Sequence, residues 1–114
     1  MPTNRRASPL RVLFICSRNR RRSPTAEAVF GALPDFETAS AGVATDADEV
    51  VTRDHIEWAE VICVMEAVHR RKLQRQFGSA LKSARIVCLN IPDDFDFMAP
   101  ELIARLRACT HLIR

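Results

Sequence analysis

The chain has 114 residues, a length that accommodates one hydrophobic core and excludes a second. With 47% apolar and 27% charged residues it is neither a disordered chain nor a disulfide scaffold, and no stretch approaches the roughly 20 apolar residues of a membrane span. The net charge of +3, carried by 15 arginines and 2 lysines, is too mild to indicate nucleic-acid binding without local clustering.

Residues 1–9, with Pro2 and Pro9, lack periodicity and are expected to form a tail, leaving residues 10–114 as the single domain. Leu10 to Cys16 is an almost continuous branched and aromatic run, the pattern of a parallel strand buried on both faces. Ser23-Pro24 reads as a helix start, with serine as cap and proline at the first position. Ala26, Val29, Phe30 and Leu33 then form an apolar stripe that ends at Pro34.

Phe36 to Ser40 reads as a second strand, closed by Gly42, and the acidic stretch Thr45 to Glu49 as a loop. A short helix over Thr52 to Glu60, a buried strand over Val61 to Met65 and a basic, solvated helix over Glu66 to Phe77, ended by Gly78, follow. Arg85 to Leu89 is the fourth strand. The acidic segment Ile91 to Met98 is a loop, and Pro100 opens a last helix with Leu102, Ile103, Leu106, Cys109 and Ile113 on one face. Strands alternating with helices predict a three-layer α/β domain: a four-stranded parallel sheet flanked by helices. Its ligand site should lie beyond the carboxyl ends of the strands.

The loop after the first strand falls at that place. Cys16 ends the strand, and Ser17, Arg18, Asn19, Arg20, Arg21 and Arg22 lead into the helix. Amides of such a turn converge on an anion, the helix amino end adds roughly half a positive charge, and Arg22 can grip two phosphate oxygens. The same field favours a thiolate at Cys16, which makes in-line attack on phosphorus possible. Cys63, Cys88 and Cys109 sit in apolar runs or on a helical stripe and read as packing. Without an export signal the thiols are expected to stay free in a cytoplasmic protein. His55, His69 and His111 lack metal-ligand spacing and read as surface histidines, Trp58 reads as packing, and no metal or cofactor is expected.

The run VLFICSRNRRRSPTAEAVF, together with TASAG at 38–42 and EWAEVICVMEAVHRRKL at 57–73, resembles the low-molecular-weight protein tyrosine phosphatases. Nearer still is a short bacterial branch of predicted phosphatases carrying the IPD motif seen at Ile91 to Asp93. The resemblance spans nearly all of residues 10–109. It implies a phosphomonoesterase working through a phosphocysteine, with Cys16 as nucleophile, Arg22 as phosphate clamp, and Asn19, Ser23 and Ser40 as a supporting network. It also implies Asp93, or else Asp94, as general acid, flanked by Phe95 and Phe97. The expected substrate is a phosphorylated protein or small aromatic phosphate, the loop should hold phosphate or sulfate, and a monomer is expected. The chain departs from the family in a shorter Gly42 to Asp54 segment, in Arg18 where longer members carry glycine, and in Pro92 preceding rather than following the acid. Two other readings stay open: a phosphate- or RNA-binding module that kept the loop, and thiol-linked arsenate reduction.

Overall fold

The computed structural model describes residues 8–114, so most of the expected tail, residues 1–7, lies outside the described residues. β1 (Leu10–Cys16), β2 (Phe36–Gly42), β3 (Val61–Val64) and β4 (Arg85–Cys88) form one parallel sheet in the order β2-β1-β3-β4. β1 is an inner strand, paired with β2 from Leu10↔Phe36 to Cys16↔Gly42 and with β3 from Val12↔Val61 to Ile15↔Val64.

That position explains the composition of β1. Successive side chains of a strand point to opposite faces. Val12, Phe14 and Cys16 therefore enter one core with Phe30, Leu102, Leu106 and Ile113, while Leu13 and Ile15 enter the other with Ile56, Leu73 and Leu81. The first core is covered by α1 (Arg22–Gly31), α4 (Pro100–Ala108) and α5 (Thr110–Ile113). The second is covered by α2 (Arg53–Trp58), α3 (Ala67–Phe77) and a 3-10 turn (Gly78–Ser83). Phe14 stacks on Phe30 at 5.4 Å between centroids, and burial of each such ring contributes about 2 kcal/mol or more. The expected three-layer α/β domain is the observed architecture.

Among the element boundaries that differ from expectation, three have clear local reasons. α1 begins at Arg22 with Arg21 as its cap, so Ser23 lies inside the helix and gives no cap bond. Pro24 still sits within the first turn, where a missing N–H leaves no intrahelical bond unmade. α1 also stops at Gly31, before Pro34, with Leu33 N–H turning back to Phe30 O at 3.0 Å. The last helix is two: Cys109, with ψ near 0, breaks the run between α4 and α5. Leu102, Leu106 and Ile113 nonetheless reach the same core.

α1 leaves β1 on one face toward β2, and α2 leads back on the other face to β3. The chain therefore diverges at the carboxyl end of β1, the place where open parallel sheets bind ligands.

Candidate active site

The loop from Cys16 to Arg22 is oriented by its carbonyls. Cys16 O, Ser17 O and Arg18 O accept from Val43 N–H (3.1 Å), Ala44 N–H (2.9 Å) and Asp48 N–H (3.1 Å), all in the segment that follows β2. In a trans peptide the carbonyl of one residue and the N–H of the next point in opposite directions. The amides of Ser17, Arg18 and Asn19 therefore face away from that segment, and Asn19 N–H, at 3.2 Å from Cys16 Sγ, shows where they face. Gly42 permits the close approach: a Cβ there would meet Ser17 O at 2.5 Å and Ala47 Cβ at 2.7 Å.

Cys16 Sγ is buried at the base of this turn and lies 2.9 Å from Ser23 Oγ. Asn19 adopts φ 56, a left-handed conformation that asparagine tolerates better than most residues, and donates through Nδ2 to Ser23 Oγ at 2.9 Å. With its oxygen already accepting from Asn19, Ser23 has its own proton free to donate to sulfur. Two donors thus converge on Sγ. The serine expected to cap the helix serves the cysteine instead.

Arg22 is 2% exposed, and its Nη1 donates to Glu66 Oε1 and to Ile91 O, both at 2.7 Å. The Ile91 contact draws the acidic loop over the arginine, so that Asp93 Oδ1 lies 3.7 Å from Arg22 Nε. That loop is tied down elsewhere by Met98 N–H on Thr25 Oγ1 (2.9 Å) and by Phe95, which packs on the first core beneath the Arg105 guanidinium. Of the two expected aromatic flanks, Phe95 is thus turned inward and Phe97 is exposed. Asp94 is exposed, and Asp93 is the carboxylate brought to Arg22.

The remaining arginines of the loop do not enter the site with their side chains. Arg18 pairs with Asp46 at 3.6 Å and Arg20 with Asp48 at 3.1 Å, all four exposed, while Arg21 is exposed at the helix cap. Arg18 does not need the glycine of longer relatives, because its φ lies outside the left-handed region. Ser40, expected beside Asn19 and Ser23, donates instead to Glu27 on α1.

His69 corrects the sequence reading most sharply. Expected at the surface, it is fully buried, with Nδ1 accepting from Glu66 N–H (3.1 Å) and Nε2 facing Ser17 Oγ (3.0 Å). Since Nδ1 accepts, the ring proton resides on Nε2 and is donated to Ser17. Burial, and then the Arg22 charge, push the imidazole down to about 4, so it is neutral at ordinary pH. Glu66, the α3 cap, is likewise absent from the sequence-based site; the hydrogen bond from Arg22 holds its carboxyl below the usual range. The only signal for either residue was their placement just after a strand adjacent to β1.

The other cysteines are packing. Cys63 lies fully buried in β3 with its thiol pushed up to about 12 by burial, and Cys88 and Cys109 are half-buried, Cys88 donating to Asn90 Oδ1. Trp58 packs against the second core as expected.

A β2-β1-β3-β4 parallel sheet with a cysteine-headed, arginine-closed loop at its divergence point is the architecture of the low-molecular-weight protein tyrosine phosphatases, and the chain has that fold. Among solved structures it is similar to the YwlE arginine phosphatase of Geobacillus stearothermophilus, at 26% identity and TM-score 0.65, over 92% of this chain and 88% of that one. It is also similar to the low-molecular-weight protein tyrosine phosphatase of T. tengcongensis (21%, TM-score 0.69, 91% and 95% covered). The tyrosine phosphatase Wzb of Escherichia coli K30, solved with phosphate, is another such structure (20%, TM-score 0.71, 90% and 94% covered). Neither a scan against protein-family models nor a search of curated proteins gives a match. Among the described residues, no helix is long and apolar enough to cross a membrane.

Proposed function

We propose that this chain is a cysteine-dependent phosphomonoesterase that acts on phosphorylated proteins or small aromatic phosphates in the cytoplasm. The observation that carries the reading is the convergence of Ser23 Oγ and Asn19 N–H on Cys16 Sγ, at the base of a turn whose amides face inward. Structural likeness to phosphatases, one of them holding phosphate, adds support.

In the proposed reaction the Cys16 thiolate attacks phosphorus in line, forming an S–P bond as the ester P–O bond breaks. Amides of the loop and the Arg22 guanidinium stabilise the equatorial oxygens, whose charge redistributes in the transition state. Asp93, held beside Arg22, gives its proton to the departing oxygen. It then takes a proton from the water that cleaves the phosphocysteine, which releases inorganic phosphate and restores the thiolate. Asp94 is the alternative acid should Asp93→Asn retain turnover.

The test is hydrolysis of an aromatic phosphate by wild type, Cys16→Ser and Asp93→Asn, from mildly acidic to neutral pH, with vanadate as inhibitor. Turnover should vanish in Cys16→Ser and fall by about 100-fold or more in Asp93→Asn, mainly for poor leaving groups. A wild-type rate equal to that of Cys16→Ser refutes the proposal. Retained phosphate binding alongside such a result would assign the chain to the binding-module reading instead.

A further inference from the structure

The phosphate loop is gripped at both ends by residues of a single helical turn on the opposite side of the sheet. Glu66 holds Arg22, the last residue of the loop, at 2.7 Å, and His69 holds Ser17, the residue after the nucleophile, at 3.0 Å. The two gripping residues are themselves joined, His69 Nδ1 accepting the Glu66 amide at 3.1 Å. Ser17 is thereby fixed from two flanks, its carbonyl by Ala44 N–H and its hydroxyl by the imidazole.

We propose that His69 is a positioning residue for the phosphate site: by donating from Nε2 to Ser17 Oγ it fixes the first inward-facing peptides of the loop, and so sets the affinity for the phosphoryl group. The inference rests on the phosphatase reading for its catalytic consequence, but its binding consequence requires only that the loop hold an anion.

Three features make this contact more than packing. The histidine is fully buried and the half-buried serine hydroxyl is its hydrogen-bond partner at Nε2, so loss of the hydroxyl leaves the imidazole N–H without that bond in a buried place. The tautomer is fixed by the Glu66 amide, which leaves the ring no alternative donor direction. Burial keeps the ring neutral down to about pH 4, so the contact adds no positive charge that would by itself attract phosphate. Its effect on anion binding must therefore run through the position of Ser17. In contrast, the exposed Arg18 and Arg20 hold their charges against Asp46 and Asp48 and fix no loop peptide with their side chains.

The experiment uses Ser17→Ala, which removes the acceptor without disturbing the α3 cap, Ser17→Thr, which keeps the hydroxyl, His69→Gln, and the double variant Ser17→Ala/His69→Gln. Orthophosphate binding is read by calorimetry, turnover by kcat and KM on an aromatic phosphate, and thiol accessibility by the alkylation rate of Cys16 with iodoacetamide. Ser17→Ala is expected to weaken phosphate binding and raise KM about tenfold, with the Cys16 alkylation rate kept within about twofold. Ser17→Thr should restore both constants, and adding His69→Gln to Ser17→Ala should weaken phosphate binding no further. If Ser17→Ala binds phosphate as wild type does, or if the two substitutions add independently, the inference is overturned. Wild type that binds phosphate without turnover overturns the enzyme reading alone and leaves the binding comparison decisive for His69; wild type that binds no phosphate overturns both.

Discussion

Acid should destabilise this protein through His69. The folded imidazole titrates at about 4 because it is desolvated and lies near the Arg22 charge, against 6.5 for an unperturbed histidine. Below pH 6.5 the unfolded chain takes up a proton that the folded chain refuses, so stability is fully present above that value and is lost as pH falls toward 4. At about 1.4 kcal/mol per pH unit the whole window amounts to about 3 kcal/mol, of which about 2 kcal/mol is gone by about pH 5. Against a total stability of roughly 5 to 15 kcal/mol for a domain of this kind, that is a large fraction. Glu66, whose carboxyl is held below its ordinary 4.5 by Arg22, has the same sign but acts at lower pH, so the interval from neutral to about pH 5 isolates the histidine. Urea unfolding followed by Trp58 fluorescence, near pH 7 and near pH 5, measures the effect. Wild type should lose about 2 kcal/mol more than His69→Gln across that interval, whatever the variant costs at neutral pH. Equal losses would refute the buried, neutral imidazole and with it the assigned tautomer.

Other consequences follow from contacts of the loop. Gly42→Ala places a Cβ 2.5 Å from Ser17 O, so it should cost about 1 to 3 kcal/mol and weaken phosphate binding, read by chemical denaturation and calorimetry. Glu66→Gln leaves the Arg22 guanidinium, 2% exposed, without its charged partner; the melting temperature should fall, and added phosphate should restore more of it than in wild type. Asp46→Asn with Asp48→Asn breaks only exposed ion pairs and should change stability by about 0.5 kcal/mol or less in urea unfolding. The same variant frees Arg18 and Arg20, so its phosphate affinity should become more salt-dependent than that of wild type, while a wild-type salt profile would mean that those charges lie too far from the anion to matter.

The sequence revealed those parts of the molecule that are governed by local pattern. The unbroken apolar run of β1 follows from burial on both faces, and the expected polar turn and helix do follow Cys16, with Ser23 Oγ and Asn19 N–H against its Sγ. Ser23, which the resemblance puts in a supporting network, was misread as a cap, because capping statistics describe a serine whose oxygen faces the helix N–H groups, whereas this one faces a sulfur. His69 and Glu66 were illegible for a different reason. Their partners lie 52 and 44 residues away, across a sheet edge, and a histidine on a helix rich in arginine carries no sign that it faces inward.

The arginine-rich loop shows why the fold persists at about one-fifth identity to its solved neighbours. What the turn requires is a direction for each peptide, and that direction is imposed from outside, by Val43, Ala44 and Asp48 amides on three successive carbonyls. Once those bonds are made, the amides on the opposite edge face the sulfur whatever side chains stand at positions 18 and 20. Four positions remain constrained by chemistry: a sulfur at 16, a left-handed residue with an amide side chain at 19, a buried guanidinium at 22 and a hydroxyl at 23. A chain can therefore fill the rest of such a loop with arginine, pair two of the charges with an acidic segment, and still present the same inward row of donors.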